Sequence, residues 1–180
     1  MNTIDKLKMF CGKGGYYGRD YIRNPFNVGA YVVATNGHVV AWVASDEKFE
    51  NEVPENVTKR IAEWIVEHKP QSEFLEFDYN ALHGFEESTF ITCDKCDGEG
   101  EAECFECGHE SVCHECDGEG KIERAAPFRA VKITDKNGLQ EKYIKLIIDV
   151  GGKIGKEEAR SDVFSFEANE INGQLIACRV

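Results

Sequence analysis

Cys93-Asp94-Lys95-Cys96-Asp97-Gly98-Glu99-Gly100 and Cys113-His114-Glu115-Cys116-Asp117-Gly118-Glu119-Gly120 are two copies of one pattern, a Cys-x-x-Cys pair followed by Asp-Gly-Glu-Gly. A third pair, Cys104/Cys107, lies between them, so three pairs fall inside 28 residues. Two thiolates separated by two residues grip a single metal ion, because the tight turn between them aims both sulfurs inward. Two such pairs complete the tetrahedral four-sulfur shell that Zn²⁺ favours. The glycines two and four places after the second cysteine of each copy let the backbone reverse without a side-chain clash. Redox or thiol-exchange chemistry would need a depressed thiol pKa near basic groups or a helix N-terminus. The surroundings here are acidic, so the pattern favours a structural metal. Catalytic zinc keeps an open position, whereas complete pairs favour a closed site.

On CDKCDGEG and CHECDGEGK the segment 93–124 resembles the cysteine-rich zinc domain of DnaJ-type chaperones, which is built from CxxCxGxG repeats. Those domains carry four repeats and two zinc ions; this chain has two good repeats and a degenerate middle one. No His-Pro-Asp tripeptide occurs, so the resemblance implies a DnaJ-like module and not a complete co-chaperone. By that analogy the outer repeats share one ion, held by Cys93, Cys96, Cys113 and Cys116. Cys104 and Cys107, with His109 and His114, are then candidates for a second, Cys₂His₂ shell. Pairing of Cys104/Cys107 with Cys113/Cys116 and a Zn₂Cys₆ cluster stay open as alternatives, as does the choice between one and two zinc ions.

Charge bounds the partner. Residues 93–124 hold eleven acids against three bases, a net −8, within a chain of net −12. Such a finger repels a phosphate backbone, so a protein partner with a basic surface is expected rather than DNA. Residues 1–30 lean the other way, with Lys6, Lys8, Lys13, Arg19 and Arg23 against Asp5 and Asp20. At 180 residues, with 42% hydrophobic content, the chain is expected to bury a proper core. No apolar run of membrane-spanning length and no secretory h-region is present, so a cytoplasmic location is expected, where paired cysteines bind metal rather than form disulfides.

Around the finger the pattern predicts an α+β fold: one antiparallel-sheet domain with two helices, residues 1–90 and 125–180, interrupted by a small zinc-binding β-hairpin insertion at 91–124. A short helix is expected over Thr3–Phe10, capped by Thr3. Ala30–Thr35 and Val39–Ala44 read as strands joined by Asn36-Gly37 in a type I′ turn. Pro54–His68 reads as a helix with Val57, Ile61, Trp64 and Ile65 on one face. Phe74–Tyr79 and Ser88–Thr92 read as strands, the latter pairing with Phe128–Thr134 as the base of the insertion. Leu139–Val150 has helical spacing, ended by Gly151-Gly152. Val163–Ala168 and Gln174–Val180 read as a closing hairpin around Asn172-Gly173. Gly12-Lys13-Gly14-Gly15 is a loop and not a phosphate-binding motif, since no Gly-Lys-Ser/Thr follows at the right spacing.

Within this core, Tyr31–Val43 (YVVATNGHVVAWV) and Gln174–Val180 (QLIACRV) resemble the strand–turn–strand and C-terminal strand of DNA sliding clamps, the β subunit of bacterial DNA polymerase III. Tyr143-Ile144-Lys145-Leu146 falls where a clamp domain has its second helix. The resemblance implies a clamp-like fold and a DNA-replication or mobile-element setting, as in phage-encoded proteins. It also implies DNA contact through Lys6, Lys8, Lys142 and Lys145, and an oligomer, because a ring would have to assemble from single-domain subunits.

Elsewhere, Cys11 and Cys178 read as buried apolar positions. His38 reads as a turn residue, His68 as a helix end and His83 as a loop residue. No nucleophile–base arrangement or paired-carboxylate motif stands out, so no enzymatic activity is expected. The sequence thus predicts a non-enzymatic zinc-binding interaction protein. A clamp-like DNA accessory protein and a thiol oxidoreductase are the alternatives.

Overall fold

The structure, a computed structural model, describes residues 1–13, 19–84, 89–103, 110–124, 128–160 and 162–179. In chain order, helix α1 (Thr3–Lys8) precedes strands β1 (Phe26–Val28), β2 (Tyr31–Thr35) and β3 (Val39–Ala44), then helix α2 (Glu55–Glu67). Four short strands follow: β4 (Thr89–Thr92), β5 (Glu101–Glu103), β6 (Glu110–Val112) and β7 (Lys121–Arg124). The rest comprises β8 (Ala130–Lys132), β9 (Asn137–Gln140), helix α3 (Glu141–Asp149), β10 (Lys153–Arg160), β11 (Val163–Ala168), β12 (Ile171–Ile176) and β13 (Cys178–Arg179). The described residues thus form an α+β fold of antiparallel sheets with three helices, each within one of the three segments read as helical although the fold class named only two. The chain divides into two compact units, Met1–Gly84 with Arg129–Val180, and Phe85–Phe128.

The first unit is built on a six-stranded antiparallel sheet in the order β1-β2-β3-β12-β11-β10. Alternation along β3 explains its two-sided burial. Val39, Ala41 and Val43 join one core; Val40 and Trp42 join the other. On the first face pack Leu7 and Phe10, and from α3 Tyr143, Ile144 and Ile147; the Phe10 and Phe166 rings stack with centroids 5.4 Å apart. On the second face Ile61 of α2 packs with Val33, Val40 and Trp42. The order of elements repeats: α1 leads into β1-β2-β3 and α3 into β10-β11-β12, with β3 and β12 paired at the middle of the sheet. A smaller sheet, β13-β9-β8, completes the unit.

Several expectations need correction. Asn2, not Thr3, caps α1, its Oδ1 accepting the Asp5 N–H at 2.7 Å. Gly37 has φ +89° but Asn36 does not adopt a positive φ, so the turn is not type I′. Instead Asn36 Oδ1 accepts from the N–H groups of His38 and Val39, at 3.0 Å each. The closing hairpin turns at Asn169-Glu170, with Ala168 opposite Ile171, while Asn172 and Gly173 lie inside β12. Leu139 and Gln140 belong to β9 rather than to the helix. Phe74 makes an isolated bridge to Gly155, and Tyr79–Ala81 is a 3₁₀ turn, so no continuous strand spans 74–79. β4 pairs with β7, and β8 with β9; the expected 88–92 to 128–134 pairing does not form.

Candidate metal centre

Two antiparallel ribbons, β4–β7 and β5–β6, flank the repeats, so that each Cys-x-x-Cys-x-Gly-x-Gly copy runs from a strand of one ribbon to a strand of the other. The two copies have the same backbone. Asp97 and Asp117 take φ of 48° and 49°, Gly98 and Gly118 take 86° and 83°, and Gly100 and Gly120 take 81° and 69°. Each copy also closes on itself, through Gly98 N–H to Cys93 O (3.2 Å) and Gly118 N–H to Cys113 O (3.1 Å). Across the unit the copies clasp each other, with Cys93 N–H donating to Gly120 O at 2.9 Å and Cys113 N–H to Gly100 O at 2.8 Å. A Cβ on Gly100 would overlap the Gly118 carbonyl, and one on Gly120 the Gly98 carbonyl. Glycine is therefore required there by close backbone approach as well as by φ.

This clasp brings together Cys93, Cys96, Cys113 and Cys116, whose sulfurs all lie within 4.8 Å of one another. Cys93 Sγ is 3.8 Å from Cys113 Sγ, and Cys96 Sγ is 3.7 Å from Cys116 Sγ. Four sulfurs tetrahedrally arranged ~2.3 Å from a common centre stand ~3.8 Å apart, so the spacing fits a Zn²⁺-sized ion. The four side chains are 0–6% exposed, with Ile122 packed against them. The Gly100 and Gly120 N–H groups donate to Cys96 Sγ and Cys116 Sγ, both at 3.3 Å. Amide donors of this kind partly offset thiolate charge and fix ligand orientation. The sequence signal for them is the glycine four places after the second cysteine of each copy, a position that turn chemistry alone also explains.

The thiols compete for protons across these short distances. Burial pushes Cys93 up to about 11 and raises Cys116. At Cys96 burial also disfavours ionisation, but the Gly100 and Gly98 N–H groups, together with hydrogen bonds from the Cys116 and Cys93 thiols, outweigh it and bring the thiol down to about 7. A bound dication would favour the thiolate form of all four.

Cys104, Cys107 and His109 lie outside the described residues. His114, within the second repeat, is exposed and is not among the four converging ligands. Asp94, Asp97, Glu99, Glu101, Glu115, Asp117 and Glu119 are all exposed, against Lys95 and Lys121, so the described surface of this unit is strongly acidic. In the core unit, His38 stacks on Tyr143 at 5.6 Å and is lowered by burial and by Lys142 and Arg19. His83 Nδ1 lies 2.7 Å from Glu141 Oε2. Lys6 Nζ donates to Val150 O and Lys145 Nζ to Leu82 O, tying α1 and α3 to their own unit. No helix among the described residues is long and apolar enough to cross a membrane. No protein-family model matches the chain, and neither a curated protein nor a solved structure shows a significant match to it.

Proposed function

We propose that the chain is a non-enzymatic zinc-binding interaction protein whose cysteine unit presents an acidic, metal-stapled surface to a basic protein partner. The observation that carries this reading is the buried four-sulfur cluster, sized for zinc and surrounded by seven exposed carboxylates. A closed Cys₄ shell leaves no position for substrate, which supports a structural role for the ion. Burial also speaks against thiol exchange, since an exchanging cysteine needs access to its disulfide partner. The rigid, acidic unit suits electrostatic selection of a cationic surface.

The test uses the full chain purified without a histidine tag. Metal analysis is expected to give at least one zinc per chain, and Cys113→Ser with Cys116→Ser to abolish it; less than one zinc in the parent overturns the reading. A fluorescent Lys/Arg-rich peptide is expected to bind the zinc-loaded chain in a salt-sensitive manner. Reversing Glu99, Glu101, Glu115 and Glu119 to lysine should remove that binding with zinc content unchanged; unaltered binding overturns the partner assignment.

A second reading, a clamp-like DNA-associated accessory protein, draws support from the repeated helix–three-strand order about the β3–β12 pair. Its signature is an oligomer that retains DNA at low salt. A strictly monomeric protein with no retention removes it.

A further inference from the structure

The six-stranded sheet of the core unit ends in two unlike edges. β1, at one side, is three residues long, whereas β10, at the other, runs for eight. A long edge strand offers its unpaired N–H and C=O groups to any second strand. Between Ile154 and Arg160 the register of β10 with β11 shifts twice, which bends the strand and blunts its later part as a template. Its first half is the part on which another strand can lie. There a segment of the same unit is already seated. Phe74 bridges Gly155 in the antiparallel sense; on either side Leu75 N–H donates to Ile154 O and Lys156 N–H to Glu73 O, each at 2.9 Å. These are the bonds that flank such a pair in an antiparallel ladder. Side chains fasten the segment along its length. Glu167 Oε1 accepts the Gln71 N–H at 2.8 Å, Lys156 Nζ pairs with Glu73 Oε2 at 2.9 Å, and Lys153 Nζ stands 5.6 Å from the Phe74 ring centroid. Leu75 and Phe77 pack against the core. Gln71 covers Gly155 so closely that a Cβ there would overlap its side chain.

We infer that residues 71–77 are a built-in edge strap that closes the core sheet against a second copy of this chain and keeps the protein monomeric. A second copy is the occupant excluded because two identical antiparallel edges meet about a twofold axis, each offering the other the same backbone around Gly155. A pairing centred on Gly155 sets position 153, a lysine, opposite position 157, a glutamate, so charge does not forbid it. The strap does. It takes up the Ile154 carbonyl and the Lys156 amide, its Glu73 takes up the Lys156 ammonium, and its Gln71 fills the space that a glycine leaves bare. Strap and strand belong to one chain, so this contact forms without the loss of translational freedom that a second copy would incur.

The test uses the zinc-loaded full chain in reducing buffer, with sedimentation velocity for mass and amide hydrogen exchange for the strap. The parent is expected to sediment as a 20.2 kDa monomer across the concentration range, with the Leu75 and Lys156 amides protected. Glu73→Lys combined with Leu75→Pro reverses the ion pair and removes one of the two backbone donors. The Lys156 amide should then exchange about tenfold faster, as for one lost hydrogen bond, and the mass should climb toward twice the monomer as concentration rises. Gly155→Ala attacks the same contact from the other strand, since its methyl displaces Gln71. It too should associate, and adding Gln71→Ala should restore the monomer. That arm leaves Glu73 and Leu75 intact, so it decides the question even where Leu75→Pro costs folding. A parent that is already a dimer or larger overturns the assignment, as do folded variants that lose Lys156 protection and stay monomeric.

Discussion

Alanine at Gly100, compared with alanine at Gly98, separates backbone strain from backbone approach within one metal unit. Both glycines have positive φ, 81° and 86°, and a left-handed backbone costs a non-glycine residue about 1–2 kcal/mol. At Gly98 the added methyl meets chiefly Thr92 Cγ2, at 3.0 Å, a side-chain tip that can give way. Only the strain remains, and zinc affinity should fall about 5–30-fold. At Gly100 the methyl overlaps the Gly118 carbonyl, which is backbone. Relief requires the two copies to separate, loosening the Gly100 N–H bond to Cys96 Sγ and the Cys113 N–H bond to Gly100 O. The first is worth about 1.5–3 kcal/mol with a charged sulfur, and the second about 0.5–1.5. Added to strain, the loss comes to about 3–6 kcal/mol, or about a hundredfold to ten-thousandfold in affinity. Competition for zinc against a chromogenic chelator measures both variants, and the absorption of the cobalt(II)-loaded chain reports whether the tetrahedral thiolate shell persists. Equal losses at the two positions would refute the argument that mutual closure of the repeats builds the site.

Other perturbations address the core. Phe166→Ala removes a fully buried ring stacked on Phe10 and should cost about 3–5 kcal/mol in chemical denaturation; a loss below 1 kcal/mol would mean that the site collapses freely. Burial pushes the Cys11 thiol up from the ordinary 9.0 to about 11. Between those values the folded state holds a proton that the unfolded state releases, so stability should fall as pH rises through that window. Comparing thermal unfolding of the parent and Cys11→Ala across the window tests this: the variant should lose stability less steeply. Gly173→Ala places a methyl against the Phe166 ring and the Val40 carbonyl, so it should destabilise the core by about 1–3 kcal/mol. A neutral result in denaturant titration would show that β12 can shift.

What the sequence disclosed depended on whether the signal was local. The cysteine repeats encode their own turns, so a metal site was legible from spacing, while the choice of Cys93, Cys96, Cys113 and Cys116 among the pairs rested on the resemblance to CxxCxGxG repeats. Asn36-Gly37 marked a real reversal because Asn36 supplies its own acceptor to the next two amides. Asn172-Gly173 misled, since Gly173 is there to admit the Phe166 ring from the neighbouring strand, a tertiary demand that looks like turn chemistry. β10, reading KIGKEEAR, lacks the apolar alternation of a strand. It lies at the sheet edge, where charge is tolerated and its register shifts at Ile154/Glu158 and Glu158/Arg160 accommodate the irregularity. The β4–β7 pairing was missed because it follows from the clasp between Cys93 and Gly120, invisible until both repeats are folded together.

Thr89 and Arg124 face each other as partners at the end of the β4–β7 ribbon, which has a practical consequence. The cysteine unit enters and leaves through adjacent antiparallel strands, the same spacing at which any two-stranded hairpin presents its ends to a turn. It can therefore be transplanted in place of such a turn in an unrelated host, carrying its ligands, amide donors and glycines in one uninterrupted segment. In such a chimera, the host's folding would become answerable to zinc at a single loop.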